Sequence, residues 1–290
     1  MFANGCYHGC EMLTGTQIRL PWLLTTFHTS ATSVGCFLMI CSGYLKISMI
    51  SPQEHVTLFA FSWLFTLSTA MSNVSLSLVS VPFHQIMRST CPVVTTLIYR
   101  TIYGRTYSAA TYLSIVPIVA GVTVSTAGDY DATIFGASVT ALGVVLACAK
   151  TVAANRLMTG TLSLAPLELL FRLSPLAAVH CALISLLTGE VSALRENWKT
   201  GIVTWVLALS LVGNGVVAFA LNVVAFETNK KVGALTVTVC GNVKQTLTVL
   251  LSIVWFQLQV GIVNGIGMAI TLVGASWYSK VELDRKRSEA

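Results

Sequence analysis

The feature that most constrains this chain is a succession of long apolar segments separated by brief polar breaks. They run at 21–45, 56–79, 81–103, 107–127, 133–158, 165–189, 201–225, 231–256 and 260–279. Crossing a bilayer as a helix takes about 20 consecutive apolar residues, and these segments have that length. An outer-membrane barrel would instead show shorter segments of alternating polarity. The expected fold is therefore all-α: a polytopic membrane protein of about nine transmembrane helices. Composition agrees, because 54% of residues are hydrophobic and only 10% charged, whereas a soluble domain carries about 25% charged residues.

A net charge of +6 would point to nucleic acid in a soluble protein, but here the basic residues lie mainly between or just after apolar segments. They report orientation instead, since Lys and Arg near span ends favour the cytosolic side. Lys46, Arg100, Arg105, Arg156, Lys230, Lys231, Lys280, Arg285, Lys286 and Arg287 share the side of the C-terminus; Arg19, Arg195, Lys199 and the acidic turn Asp129-Tyr130-Asp131 take the other. The C-terminus is expected in the cytosol, with 281–290 a basic tail and a single membrane domain at 21–280. Residues 1–20 contain His8, Glu11 and Arg19 and read as neither a signal peptide nor a span. Cys36, Cys41, Cys91, Cys148, Cys181 and Cys240 fall inside apolar segments without zinc-site spacing, so they are read as small packing residues, and Cys6 with Cys10 is an isolated pair.

The chain also repeats itself weakly. Val79 to Thr126 lies on Val232 to Ser279 without a gap, so that Thr95 meets Thr248, Leu97 meets Leu250 and Gly121 meets Gly274. Two repeats, at about 21–127 and 133–280, entering the membrane from opposite faces would be the inverted architecture of many secondary transporters. Nine spans give four helices plus five of an expected five plus five, so a first helix is expected to be missing. Small residues, including the 21 glycines, would let helices approach closely in lipid.

Four cations sit within spans: Arg88, Lys150, Arg172 and Lys244. A charge at the bilayer centre costs roughly 2.5–3.5 kcal/mol even on the mildest scale, so each is a functional hypothesis. Lys244 is near the middle of its segment, beside Gly241, Asn242 and Gln245, and is read as contacting an anionic substrate; pairing with a carbonyl or with Glu227 is its structural alternative. Arg88 follows His84 by one turn and Gln85 by three residues, giving a polar stripe. The repeat lays Lys244 on Cys91, one turn from Arg88, so equivalent helices would each present a cation near the midplane. Such a pair suits a phosphate or diphosphate, gripped by an arginine fork and a lysine point charge. Arg172 is four residues after Glu168 and reads as a structural ion pair. Lys150 is either a further substrate contact or a snorkelling residue about two turns from its span's end.

His28 and His180 read as helix-contact donors, while Asn73, Asn214, Asn222 and Tyr112 either line a cavity or bond between helices. No GxxxxGK[ST], HExxH or GxSxG motif occurs, and the spans hold no clustered acid, base and nucleophile, so neither an enzyme nor a cofactor or metal is expected.

The stretch from Asn73 to Gln85, NVSLSLVSVPFHQ, with Pro92 following, resembles the early block of the triose-phosphate translocator and nucleotide-sugar transporter family. Gly241-Asn242-Val243-Lys244 resembles that family's penultimate helix. The resemblance implies ten helices in inverted repeats with both termini cytosolic. Plastid sugar-phosphate members carry a lysine at the position matching Arg88 and, later, a Lys-Arg pair that here reads Lys244-Gln245. The missing arginine favours the nucleotide-sugar branch. Members carrying GDP-mannose resemble Gly-Ala-Leu-Asn-Lys where this chain has Cys240-Gly241-Asn242-Val243-Lys244, so a UDP-linked sugar is preferred.

The resemblance thus implies exchange of a nucleotide sugar for a nucleoside monophosphate across a Golgi or endoplasmic reticulum membrane. A sugar-phosphate/phosphate translocator is the alternative, and a non-transporting truncated paralogue is the alternative of another class. Partners are the substrate and membrane lipid, with no nucleic acid and with a homodimer left open.

Overall fold

A computed structural model describes residues 20–44, 47–127, 133–160, 162–199, 205–238, 240–241, 244 and 261–289. Among them there is no strand. The helices are α1 (Pro21–Cys41), α2 (Pro52–Leu78), α3 (Val81–Arg88), α4 (Cys91–Tyr103), α5 (Ala109–Ala127), α6 (Ile134–Thr159), α7 (Pro166–Leu187), α8 (Glu190–Lys199), α9 (Trp205–Val232) and α10 (Ile262–Glu289). Residues 234–238, 240–241 and 244 are also helical. Of the described helices, four contain stretches long and apolar enough to cross a membrane, Trp22–Cys41, Ile134–Thr159, Pro166–Leu187 and Leu209–Val232.

Helix α2 is as long as these but rich in hydroxyls, of which Ser62, Thr66, Ser68 and Ser75 are buried. Ser62 donates to the Phe59 carbonyl at 2.7 Å and Thr69 to that of Phe65 at 2.9 Å. Such back-bonding satisfies a hydroxyl where no water is available. Large apolar side chains such as Phe37, Trp63, Leu113 and Leu183 stay exposed, as lipid-facing residues must.

The chain forms two compact units. The first comprises Met1–Asn73 with Ala153–Lys231, the second Val74–Val152 with Val232–Ala290. In the first, α1 packs on α7 over a core that includes Phe61, Phe65, Leu169, Leu173 and Phe226. Leu20 offers α1 no side-chain cap. The cap comes from far along the chain: the Glu190 carboxylate accepts from the Trp22 amide at 3.2 Å and the Leu23 amide at 2.8 Å. The Glu168–Arg172 ion pair forms at 2.8 Å, and the same carboxylate accepts from the Ser48 amide at 2.9 Å and its hydroxyl at 2.6 Å.

In the second unit, α5 and α10 meet backbone to backbone. A Cβ at Gly121 would collide with the Thr271 amide nitrogen, and one at Gly274 would lie 2.8 Å from that of Ile118. One at Gly267 would collide with Ser125. As α5 advances from Ile118 to Gly121 to Ser125, its neighbours on α10 recede from Gly274 to Thr271 to Gly267, so the two helices run antiparallel. The contact is also reciprocal, because Gly121 and Ile118 are the repeat counterparts of Gly274 and Thr271. The seam fixes its own register, since sliding by one residue would press Val122 or Ala120 onto backbone.

Three boundaries depart from the sequence reading. The segment 81–103 is two helices: Ser89 and Thr90 form a turn between α3 and α4, and Pro92 cannot donate to the carbonyl of Arg88 four residues earlier. Helix α9 runs on to Val232, where Lys230 and Lys231 complement its C-terminal end. Helix α10 continues through Glu289, so 281–289 is helical, with Glu282 and Arg285 paired at 2.6 Å.

Candidate functional site

The second unit holds every described residue that the sequence singles out for substrate contact. Arg88 ends α3 at the break, with Ser80 capping the other end of that short helix by accepting from the Phe83 amide at 3.3 Å. Lys150 projects from α6, and Lys244 lies on the helical stretch after Gly233. The charges of Arg88 and Lys244 both act on Lys150, and that of Arg88 acts on Lys244. The structure therefore brings three cations from separate elements into one field. Arg88 and Lys150 are half-buried, whereas Lys244 is exposed on the protein surface of this structure.

Around this cluster the polar stripe on α3 is ordered. His84 is buried, and its Nδ1 lies 2.8 Å from the Ser75 hydroxyl near the end of α2. That contact fixes the ring plane one turn before Arg88, whose charge reaches it. Gln85 is buried as well, and its backbone carbonyl accepts from the Ser89 amide at 3.1 Å and the Ser89 hydroxyl at 3.3 Å. Gly241 has open space where a Cβ would stand. Asn242 and Gln245 lie outside the described residues.

Four of the described carboxylates are held by other groups. Glu168 holds Arg172, Glu190 caps α1, Glu227 pairs with Lys231 at 3.3 Å and Glu282 with Arg285. The Lys244–Glu227 alternative thus has a competing partner for the acid.

Several residues settle into packing roles. Asn73 donates to the Thr25 hydroxyl at 2.5 Å and Asn222 to the Thr32 hydroxyl at 3.2 Å, so both bond between helices. Tyr112 accepts from Arg100. His180 stacks on Trp63 with centroids 4.1 Å apart. Ser75 and the thiol pair Cys91–Cys148 were not legible as site neighbours; the one signal for Cys91 was its repeat equivalence with Lys244. The six cysteines described are free.

Two half-buried cations and an exposed one share a field beside a broken span, and comparison with known proteins gives the class of the chain. The model of the Triose-phosphate Transporter family matches residues 11–279, and the chain belongs to that family, whose members are transporters and not enzymes. Among curated relatives from Arabidopsis thaliana, a UDP-galactose transporter 1 is 25% identical, over 91% of this chain and 79% of its own length. A GDP-mannose transporter, GONST5, is 25% identical over 91% and 78%, and a probable sugar phosphate/phosphate translocator 27% identical over 93% and 75%. A solved crystal structure shares the fold with a TM-score of 0.64 at 16% identity, covering 100% of this chain and 96% of the other.

Proposed function

We propose that this chain carries a nucleotide sugar, UDP-linked in preference, and exchanges it for a nucleoside monophosphate by alternating access. The membrane is that of the Golgi or endoplasmic reticulum, with the C-terminus in the cytosol. The observation that carries the reading is the convergence of Arg88, Lys150 and Lys244. Each cation is costly at membrane depth, and like charges brought together repel. An anionic substrate would lower both costs. A diphosphate suits it: Arg88 grips by its fork, and Lys244 and Lys150 act as point charges. His84 and Gln85 add hydrogen-bonding groups one turn away. Gly241 leaves room for the substrate, with Asn242 and Gln245 beside Lys244 in sequence.

The UDP preference rests on the sequence around Lys244, because the relatives named for UDP-galactose and GDP-mannose are equally similar to this chain. A second reading, sugar-phosphate/phosphate exchange, draws on relatives named as such translocators and on the Arg88 fork.

The test is uptake of radiolabelled nucleotide sugars and sugar phosphates into liposomes bearing the chain, with and without nucleoside monophosphate inside. Trans-stimulated uptake of one nucleotide sugar is expected. A charge-assisted contact contributes about 1.5–3 kcal/mol, so Lys244→Ala should reduce uptake efficiency roughly 10- to 150-fold. Uptake of sugar phosphate against phosphate would select the second reading. Uptake of no substrate by folded protein would refute both.

A further inference from the structure

We propose that Cys91 and Cys148 form a reversible dithiol–disulfide switch that ties α4 to α6 beside the cation cluster. Cys91 opens α4 immediately after the break, and Cys148 lies on α6. The Cys148 thiol donates to the Cys91 backbone carbonyl at 3.5 Å. Both are buried, at 6% and 1% exposure, against Val144, Val94 and Ile98.

A buried thiol alone is an inert packing group. Two features set this pair apart. The Cys148 sulfur already lies against the backbone of Cys91 within one buried cluster, so α4 and α6 are in contact where the bond would form. Cys91 is also within the field of Arg88 and Lys244, so any path that lets a substrate anion reach those cations brings solutes close to the thiol. Cys91 follows Arg88 by one helical turn, and Cys148 precedes Lys150 on the same helix. A bond between them would join α6, which carries Lys150, to the start of α4, one turn past Arg88 at the end of α3. It would pin the turn at Ser89 and Thr90, where the α3–α4 span can bend.

The oxidant class is a small-molecule disulfide, RS–SR. One cysteine thiolate attacks it, forming a mixed disulfide and releasing one RS⁻. The second cysteine loses its proton, attacks the mixed disulfide at the protein sulfur and expels the second RS⁻. The protein gives up two protons and two electrons, and RS–SR leaves as two RSH. An excess of dithiol runs the exchange backwards.

The consequence for transport rests on the proposed function; the cross-link itself does not. The experiment treats the full chain in liposomes with membrane-permeant dipyridyl disulfide, maps its peptides by mass spectrometry and measures uptake of the nucleotide-sugar panel before and after dithiothreitol. A peptide joining Cys91 to Cys148 is expected, and it disappears on reduction. Uptake should fall at least about tenfold on oxidation and return on reduction, as when a conformational step is blocked. Cys148→Ser should transport and yield no joined peptide on oxidation, with Cys148→Ala replacing it should the hydroxyl impair folding. Absence of the joined peptide, with separate mixed disulfides or unreacted thiols, overturns the pair. A joined peptide with unchanged uptake overturns the switch. A joined peptide in a chain that transports nothing from the panel supports the pair and refutes the transport reading.

Discussion

Gly121→Ala should destabilise the protein even though alanine is the better helix former. At this position the added methyl would meet the Thr271 amide nitrogen and lie 2.8 Å from the Gly267 carbonyl. Overpacking costs about 1–3 kcal/mol where side chains can shift, and here the obstacle is backbone, so about 3 kcal/mol applies. Removing a helical glycine returns up to about 1 kcal/mol, leaving a net loss of about 2. Gly213 on α9 is the control: nothing lies within 4 Å of a Cβ there, so Gly213→Ala keeps the gain of up to about 1 kcal/mol. The same chemical change should thus separate the two variants by about 3 kcal/mol, or roughly 6–12 °C in melting temperature.

The assay is thermal loss of the monodisperse peak of detergent-purified protein, followed by fluorescence-detected size exclusion. Gly267→Ala should resemble Gly121→Ala. The double variant should lose less than the sum, because once α5 and α10 have parted the second methyl enters more cheaply. If Gly121→Ala and Gly213→Ala melt together, the antiparallel seam is not where the structure puts it.

Glu190 yields a pH dependence. Its burial raises the carboxyl above its ordinary 4.5, outweighing the bonds from the Leu23 and Trp22 amides that lower it. The folded state therefore binds the proton more readily than the unfolded one. The resulting stabilisation is fully present below the unfolded value and is lost as pH rises through the folded value. Melting temperature should decline over that window, and Glu190→Gln should flatten the profile; an unchanged slope refutes the assignment. Glu190→Ala should cost about 1 kcal/mol as a lost cap. Glu168→Ala leaves a largely buried Arg172 with only the Ser48 carbonyl as acceptor and should cost up to about 3 kcal/mol, visible as a lower melting temperature; a cost below about 1 kcal/mol would show that Arg172 has found water.

The helical architecture was legible because the bilayer dictates segment length, so hydropathy alone located Pro166–Leu187 within two residues of its observed ends. Hydropathy cannot see a helix that leaves the membrane. Past Ser279 the apolar signal stops, but α10 continues on its own ion pair between Glu282 and Arg285. The break after Arg88 was hidden for the opposite reason: the segment stays apolar across it, and only the steric demand of Pro92 marks it. Arg88 and Lys244 could be paired through the internal repeat. Lys150 could not, because its closeness to them comes from how α6 packs. The same holds for Cys148 beside Cys91 and for Glu190 at the start of α1, which depend on contacts between distant segments.

Within the second unit the chain combines a locked seam with a broken span, and the break has a defined electrostatic sense. Arg88 ends α3, where carbonyl dipoles favour a cation, and α4 begins at Cys91, where amide dipoles favour an anion. The break thus lowers the cost of holding Arg88 at depth and adds a positive helix end for an anionic ligand. Pro92→Ala tests whether the break serves transport. Restoring the donor to the Arg88 carbonyl recovers about 3 kcal/mol of helix strain, less the packing lost around a buried side chain, so the variant should melt at or above the parent. Its uptake should nevertheless fall, since a continuous helix withdraws the α4 amide end from the site and stiffens the point of bending. A stabler protein that transports less is the expected pair of results. Undiminished uptake would show that the break is a tolerated kink and would leave the three cations to bind the anion without it.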